Sequence, residues 1–135
     1  MKNQVFRWTA RILFMDTDAS GRIHYTALFR YFETAETEFF RAVGVLHEHT
    51  GSSFPRVHVE CDYRAAITYD DLLVFEVSVG RIGYSSIKLR FRVLKDEVEV
   101  AAGTVVIACM DRKTQRAAAI PPLMREKLEP YLFGE

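Results

Sequence analysis

The stretch YTALFRYFETAETEFFRAV, Tyr25 to Val43, contains neither glycine nor proline and is rich in helix formers, so it predicts a helix. Its polar residues Arg30, Glu33, Thr34, Thr37 and Arg41 recur at helical spacing as one narrow stripe. The rest of the circumference carries Leu28, Phe29, Phe32, Ala35, Phe39, Phe40 and Val43. A helix this apolar must be buried on most sides, and Gly44 supplies its stop. Any fold for the chain therefore has to provide a surface that covers it.

The remaining sequence supplies strands. Val5–Phe14 puts Phe6, Trp8, Ala10, Ile12 and Phe14 on one face and Arg7, Thr9 and Arg11 on the other. After Pro55, VHVECDY alternates strictly, and DLLVFEVSVGRI, SSIKLRFRVLK and VEVAAGTVVIACM follow, separated by short turn segments. In SSIKLRFRV, Ile87, Leu89, Phe91 and Val93 alternate with Lys88, Arg90 and Arg92, giving one buried and one wet face. The stretch from Val98 to Met110 is apolar on both faces and reads as an interior strand. Turns this short cannot make parallel crossovers, so the strands after Pro55 are expected to pair as an antiparallel meander. The class is α+β: a sheet curled around one central helix, with a short C-terminal helix opened by Pro121 and Pro122.

At 135 residues, 49% of them hydrophobic, residues 1–135 are expected to form one domain with a substantial core. Eighteen basic and eighteen acidic residues cancel, which removes a global attraction to nucleic acid or to an acidic membrane. No signal-peptide pattern opens the chain and no apolar run is long enough to span a bilayer, so a cytoplasmic protein is expected. Cys61 and Cys109 lie far apart and read as small buried thiols in strands.

The segment DTDASGRI, residues 16–23, carries the chemistry. Asp16, Asp18, Ser20, Gly21 and Ile23 match the opening of a calcium loop, but position 12 of that loop is Ala27 where a bidentate Glu is required, and a strand rather than a helix precedes it. A turn-capping role is the ordinary use of such residues and is assigned to Asp16 and Ser20, with Gly21 supplying a positive φ. The third reading notes that the loop leads into a helix start. Backbone N–H groups there can stabilise an oxyanion, and a carboxylate beside them can activate water or attack directly. Among the helix acids, Glu33 lies on the polar stripe and reads as solvated or paired with Arg30 or Arg41. Glu36 shares its side with Phe29, Phe32, Phe40 and Val43, so it must be paired or hydrogen-bonded and reads as structural.

From Arg11 through the aromatic helix, R-x-x-F-x-D-T-D-A-S-G-R-I-H-Y-T-A-L-F-R-Y-F-E-T-A-E-T-E-F-F resembles the amino-terminal signature of the 4-hydroxybenzoyl-CoA thioesterase family, in its bacterial acyl-CoA thioesterase branch associated with the Tol–Pal envelope system. The resemblance implies a hotdog fold, with a five-stranded antiparallel sheet wrapped around one long helix, working as a homodimer or homotetramer. It places Asp18 at the family's catalytic carboxylate. It places Tyr25 where the backbone N–H polarises the thioester carbonyl, and Gly21 and His24 beside the substrate. Relatives in that branch often carry histidine at the Tyr25 position, whereas here His24 precedes it. Arg81, Arg112 and Lys113 are the candidate contacts to the phosphates of coenzyme A. Ala66 falls where some aromatic-acyl relatives carry a hydroxyl. The implied reaction is hydrolysis of an acyl-CoA, or of an acyl group on acyl-carrier protein. The leaving thiolate, with a pKa of about 8.5, needs little acid assistance. Neither metal nor cofactor is implied, coenzyme A being part of the substrate. Two alternatives stand beside it: a hotdog dehydratase or hydratase pairing His24 with Glu36 or Glu38, and a non-catalytic module that binds acyl-CoA or a protein.

Overall fold

The computed structural model describes residues 2–46 and 51–133. Its elements are β1 (Phe6–Arg11), α1 (Leu28–Val43), β2 (Ser52–Ser53), β3 (Arg56–Tyr63), β4 (Leu72–Ile82), β5 (Ser86–Lys95), β6 (Val98–Ala108), β7 (Met110–Asp111) and α2 (Pro122–Leu128). Five strands form one sheet in the order β1-β4-β5-β6-β3, every neighbouring pair antiparallel, while β2 and β7 pair separately.

The meander is narrower than the turn lengths suggest. It comprises β4, β5 and β6 only, because β3 pairs with β6 at the far edge and not with β4. Residues 64–71 carry the chain from that edge back to the other side. This segment is ordered rather than a plain turn: the N–H groups of Arg64 and Ala65 both reach the Val100 carbonyl, and Ile67 is buried. The doubly apolar β6 lies inside the sheet, between β5 and β3, as expected of a strand apolar on both faces.

α1 lies across the concave face. Phe32 stacks on Phe91 of β5 with ring centroids 4.5 Å apart, Tyr31 on Phe75 of β4 at 5.9 Å, and Phe39 against Phe6 of β1 at 5.5 Å. Gly103 makes the approach to β6 possible: a Cβ there would sit 2.5 Å from Phe32 Cε2 and 2.8 Å from the Glu60 carbonyl oxygen. A helix laid inside a five-stranded antiparallel sheet is the hotdog arrangement. The helix starts at Leu28, three residues later than its sequence suggests, because His24 and Thr26 hold residues 25–27 in a turn. It ends at Gly44, whose φ of +83° turns the backbone left-handed as a stop glycine should.

The sheet covers one side of α1, the side of Leu28, Tyr31, Phe32, Ala35, Glu36, Phe39 and Phe40, and leaves more of the helix open than its composition suggests. Edge strand β3 is open as well: Val57 and Val59 are 60% and 50% exposed. Cys109 is buried and Cys61 half-buried, with no disulfide between them. On the convex face a row of charges crosses β1, β4, β5 and β6 and ends just past β3. Arg7 donates to Glu76 at 2.9 Å, Arg92 to Glu76 at 2.8 Å and to Glu99 at 2.9 Å, and Arg64, just past β3, to Glu99 at 2.8 Å. No helix among the described residues is long and apolar enough to cross a membrane.

Candidate active site

The loop between β1 and α1 is built from its two aspartates, and they do not divide the work as the sequence suggests. Asp16 is not a cap. Its side chain is 1% exposed and is held by two residues of α1: Tyr31 Oη–H donates to Oδ2 at 2.5 Å, and the Arg30 guanidinium donates to Oδ1. Burial pushes the Asp16 carboxyl up, but the Tyr31 and Arg30 bonds outweigh it and leave it below the ordinary carboxylate range. The Asp16 carbonyl in turn accepts the His24 N–H at 2.8 Å, tying the end of the loop to its beginning. Arg30 is thereby spoken for and Arg41 pairs with Glu38 at 2.5 Å, so neither takes up Glu33.

The turn chemistry belongs to Asp18. Its Oδ1 accepts both the Ser20 N–H at 2.8 Å and the Ser20 Oγ–H at 2.6 Å, while the Gly21 N–H bonds to the Asp18 carbonyl at 3.0 Å. Gly21 has φ +85°, the conformation expected of it. The Ser20 hydroxyl first, then the Ser20 backbone N–H, with help from the Arg22 N–H, hold the exposed Asp18 carboxyl below its usual range, so it is ionised at neutral pH.

Asp18 lines a cleft of about 370 Å³ together with Tyr25, Tyr63, Arg64, Ala65 and Ala66. The Tyr63 hydroxyl donates to the Tyr25 carbonyl and pins the end of β3 to the foot of α1. Among the described residues no acceptor meets the Tyr25 N–H. Tyr25 lies in the turn preceding α1 rather than in its first helical turn, so its N–H belongs to the turn and not to the helix end. His24 serves the turn too. Its Nδ1 accepts the Thr26 N–H at 3.2 Å and meets Thr26 Oγ1 at 2.8 Å, which fits a proton on Nε2, and its ring stacks on Tyr25 at 4.8 Å.

The basic residues selected from the sequence are not gathered here. Tyr63 pairs with Ala101 at one end of β6, whereas Arg112 and Lys113 follow the other end and Arg81 pairs with Lys88 near the same far end. Seven residues of strand separate Ala101 from Ala108, about 23 Å. Arg112 Nε is occupied by the Ser52 carbonyl at 3.0 Å. The cleft instead carries Arg22 and Arg64. Arg22 was legible in principle, standing next to Gly21 in the motif; Arg64 depended on the unforeseen path of residues 64–71. Glu36, the other acid weighed, lies eight residues up the helix from Leu28, about 12 Å away, and is buried against Arg56. Burial pushes its carboxyl up and Arg56 opposes the rise. His24 thus faces neither Glu36 nor the Arg41-bound Glu38 as an acid–base pair would require. The described residues contain no cluster of His, Cys, Asp and Glu that would hold a metal.

An ionised carboxylate held by Ser20, and in the same cleft Tyr25 whose N–H has no acceptor among the described residues, suit chemistry at a carbonyl whose leaving group departs readily, and within a hotdog fold they define a protein of the thioester-acting class. Comparison with known proteins makes the class specific. A family model described as the thioesterase-like superfamily matches residues 12–128, and the chain belongs to that superfamily. It is 28% identical over 125 residues to the acyl-CoA thioesterase YbgC of Haemophilus influenzae, covering 90% of this chain and 92% of that one. It is also 28% identical to a 1,4-dihydroxy-2-naphthoyl-CoA hydrolase of Synechococcus, covering 91% and 89%. Among solved structures, a hypothetical protein of Aquifex aeolicus superposes with a TM-score of 0.84 at 25% identity, over 91% of this chain and 98% of that chain.

Proposed function

We propose that the protein hydrolyses acyl-CoA thioesters, with Asp18 as the catalytic carboxylate. The observation that carries this is the position of Asp18: ionised, fixed by Ser20, and in the same cleft as the open Tyr25 amide. In the reaction oxygen adds to the thioester carbon, the carbonyl oxygen gathers negative charge against the Tyr25 N–H, and the C–S bond breaks to release coenzyme A as a thiolate. As base toward water or as direct nucleophile, the carboxylate must be ionised, and Ser20 keeps it so. Arg22 supplies positive charge for the anionic end of coenzyme A, with Arg64, already paired with Glu99, beside it, and the names of the relatives point to CoA as the thiol carrier. Acyl-carrier protein presents the same thioester and is a second donor to assay. Arg81, Arg112 and Lys113 keep a role in phosphate binding only if coenzyme A reaches the far end of a sheet, which a second copy would bring within range.

Assembly as a homodimer or homotetramer belongs to the same reading. β3 has a free edge and an uncovered apolar face, and one sheet leaves part of α1 open. The setting is cytoplasmic and the reaction needs no metal. Steady-state kinetics with free-thiol detection tests the assignment. Asp18→Asn preserves shape but can neither accept a proton nor attack as a carboxylate, so kcat falls about a hundredfold or more with KM nearly unchanged. Near-normal kcat in a folded Asp18→Asn protein overturns the assignment; collapse in Glu36→Gln with Asp18→Asn still active moves the chemistry to the helix.

A further inference from the structure

The turn from His24 to Thr26 is exposed, yet its backbone is almost fully engaged. The His24 N–H donates to the Asp16 carbonyl at 2.8 Å, and the His24 carbonyl accepts the Ala27 N–H at 2.9 Å. The Tyr25 carbonyl accepts the Tyr63 hydroxyl, and the Thr26 N–H donates to His24 Nδ1 at 3.2 Å. The Tyr25 N–H is the exception, without an acceptor among the described residues. The last two bonds belong to one peptide plane, the Tyr25–Thr26 unit. One side chain holds its oxygen and another holds its N–H, so the plane is gripped at both ends. The two grips have different origins. His24 closes on the N–H two residues ahead, as Asp18 does on the Ser20 N–H at 2.8 Å. Tyr63 reaches over from the end of β3.

A backbone donor stabilises an oxyanion only if it is already aimed when the charge develops, and small misplacements are costly. An exposed turn has no packing around it to supply that aim. Here the plane next to the open amide is fixed by side chains instead. Resting on the assignment of Asp18 and Tyr25 above, we propose that His24 and Tyr63 are positioning residues: by gripping the Tyr25–Thr26 peptide they hold the Tyr25 N–H in the orientation that an acyl carbonyl requires. Both act through Tyr25, and no proton moves to or from either side chain. Tyr63 and Tyr25 both line the Asp18 cleft, so the grip lies where the reaction takes place.

The test is steady-state kinetics with free-thiol detection on His24→Ala, His24→Asn, His24→Gln and Tyr63→Phe, each checked for folding by a thermal melt. Asn Oδ1 lies as many bonds from the backbone as His Nδ1 and closes the same turn, whereas the Gln amide reaches the position of Nε2. Removing an oxyanion donor outright costs about a hundredfold or more in kcat; loosening one should cost about tenfold, with KM little changed. His24→Ala and Tyr63→Phe should each show that loss. His24→Asn should recover most of it and His24→Gln little. His24→Ala combined with Tyr63→Phe should lose less than the product of the single losses, because both act on one peptide. Normal kcat in folded His24→Ala or Tyr63→Phe overturns the proposal. Rescue by Gln and not by Asn overturns it too, since His24 would then act through Nε2, and so does a change confined to KM. Should His24→Ala fail to fold, Tyr63→Phe and the contrast of Asn with Gln decide. If the wild type turns over no acyl-CoA, the hydrolase reading falls, and the grip is read from two inert CoA thioethers, one carrying a ketone carbonyl and one a methylene in its place. Tighter binding of the ketone by the wild type, lost in Tyr63→Phe, upholds the grip, and equal binding of the two refutes it.

Discussion

Replacing Asp16 by Asn removes one charge from the most enclosed polar group of the loop, and the structure specifies the cost. The carboxylate accepts from two donors, Tyr31 Oη–H and Arg30 Nη2–H. Tyr31 Oη already accepts the Leu13 N–H at 3.0 Å, so its own proton must find an acceptor in the Asp16 site. An amide offers one oxygen and one NH2 group, so whichever way Asn turns, one donor faces another donor. A buried hydrogen bond to a charged group contributes about 1.5–3 kcal/mol. The Arg30 side chain is 59% exposed, so its loss is screened and adds little. Asp16→Asn should therefore destabilise the fold by roughly 2–3 kcal/mol, well above the roughly 1 kcal/mol of a lost cap. For a chain of this size that is a fall in Tm of about 10 °C. The dependence on pH has a definite sign. The folded Asp16 carboxyl titrates below its ordinary value, so its contribution is fully present above about pH 4 and is lost as pH falls through the lower folded value. Thermal melts of wild type and variant from pH 7 to pH 3 should thus differ most at neutral pH and converge in acid. A Tm within about 3 °C of wild type at pH 7 would refute the reasoning.

Three further outcomes are expected. Gly103→Ala places a methyl against the Phe32 ring and the Glu60 carbonyl; it should cost about 1–3 kcal/mol or more, read by denaturant melts. Thioester hydrolysis should survive exhaustive chelation; loss with EDTA and recovery with calcium or magnesium would restore the metal reading of the DTDASG loop. Sedimentation should find a dimer or larger assembly at micromolar concentration, and a stable monomer would leave the exposed face of β3 without its expected cover.

Local features were legible in the sequence where they depend on local chemistry. The helical run of α1, the Gly44 stop, the positive φ at Gly21 and the alternation of β5 all follow from residues a few positions apart. What was not legible depends on distant partners. Nothing near Asp16 announces that Tyr31 and Arg30 will close over it, since they come into range only once α1 has turned back along the loop. Asp16 and Asp18 look alike as letters, and their environments separate them: one is buried in an ion pair, the other exposed on an Asx turn. The pairing of β3 with β6 was hidden for the same reason, because alternation in VHVECDY specifies a face but not a neighbour. Arg64 therefore carries no local signal, and Arg81, Arg112 and Lys113 lie away from the Asp18 cleft within one chain.

The strand order also bears on how the protein is made. β4, β5 and β6 pair with near neighbours in sequence, whereas β1 must wait for β4, with Phe6 opposite Val77 and Arg11 opposite Leu72. Closing so long a loop is slow relative to forming the adjacent hairpins. The loop bearing Asp18 hangs between β1 and α1 and is fastened by Ile23 N–H to the Ile67 carbonyl at 2.7 Å, another partner from later in the chain. During synthesis, at roughly 5–20 residues per second, the aromatic helix therefore leaves the ribosome seconds before the sheet that will cover it. The nascent chain displays its stickiest segment before the sheet that covers it, and the cleft beside Asp18 is among the last parts to be completed.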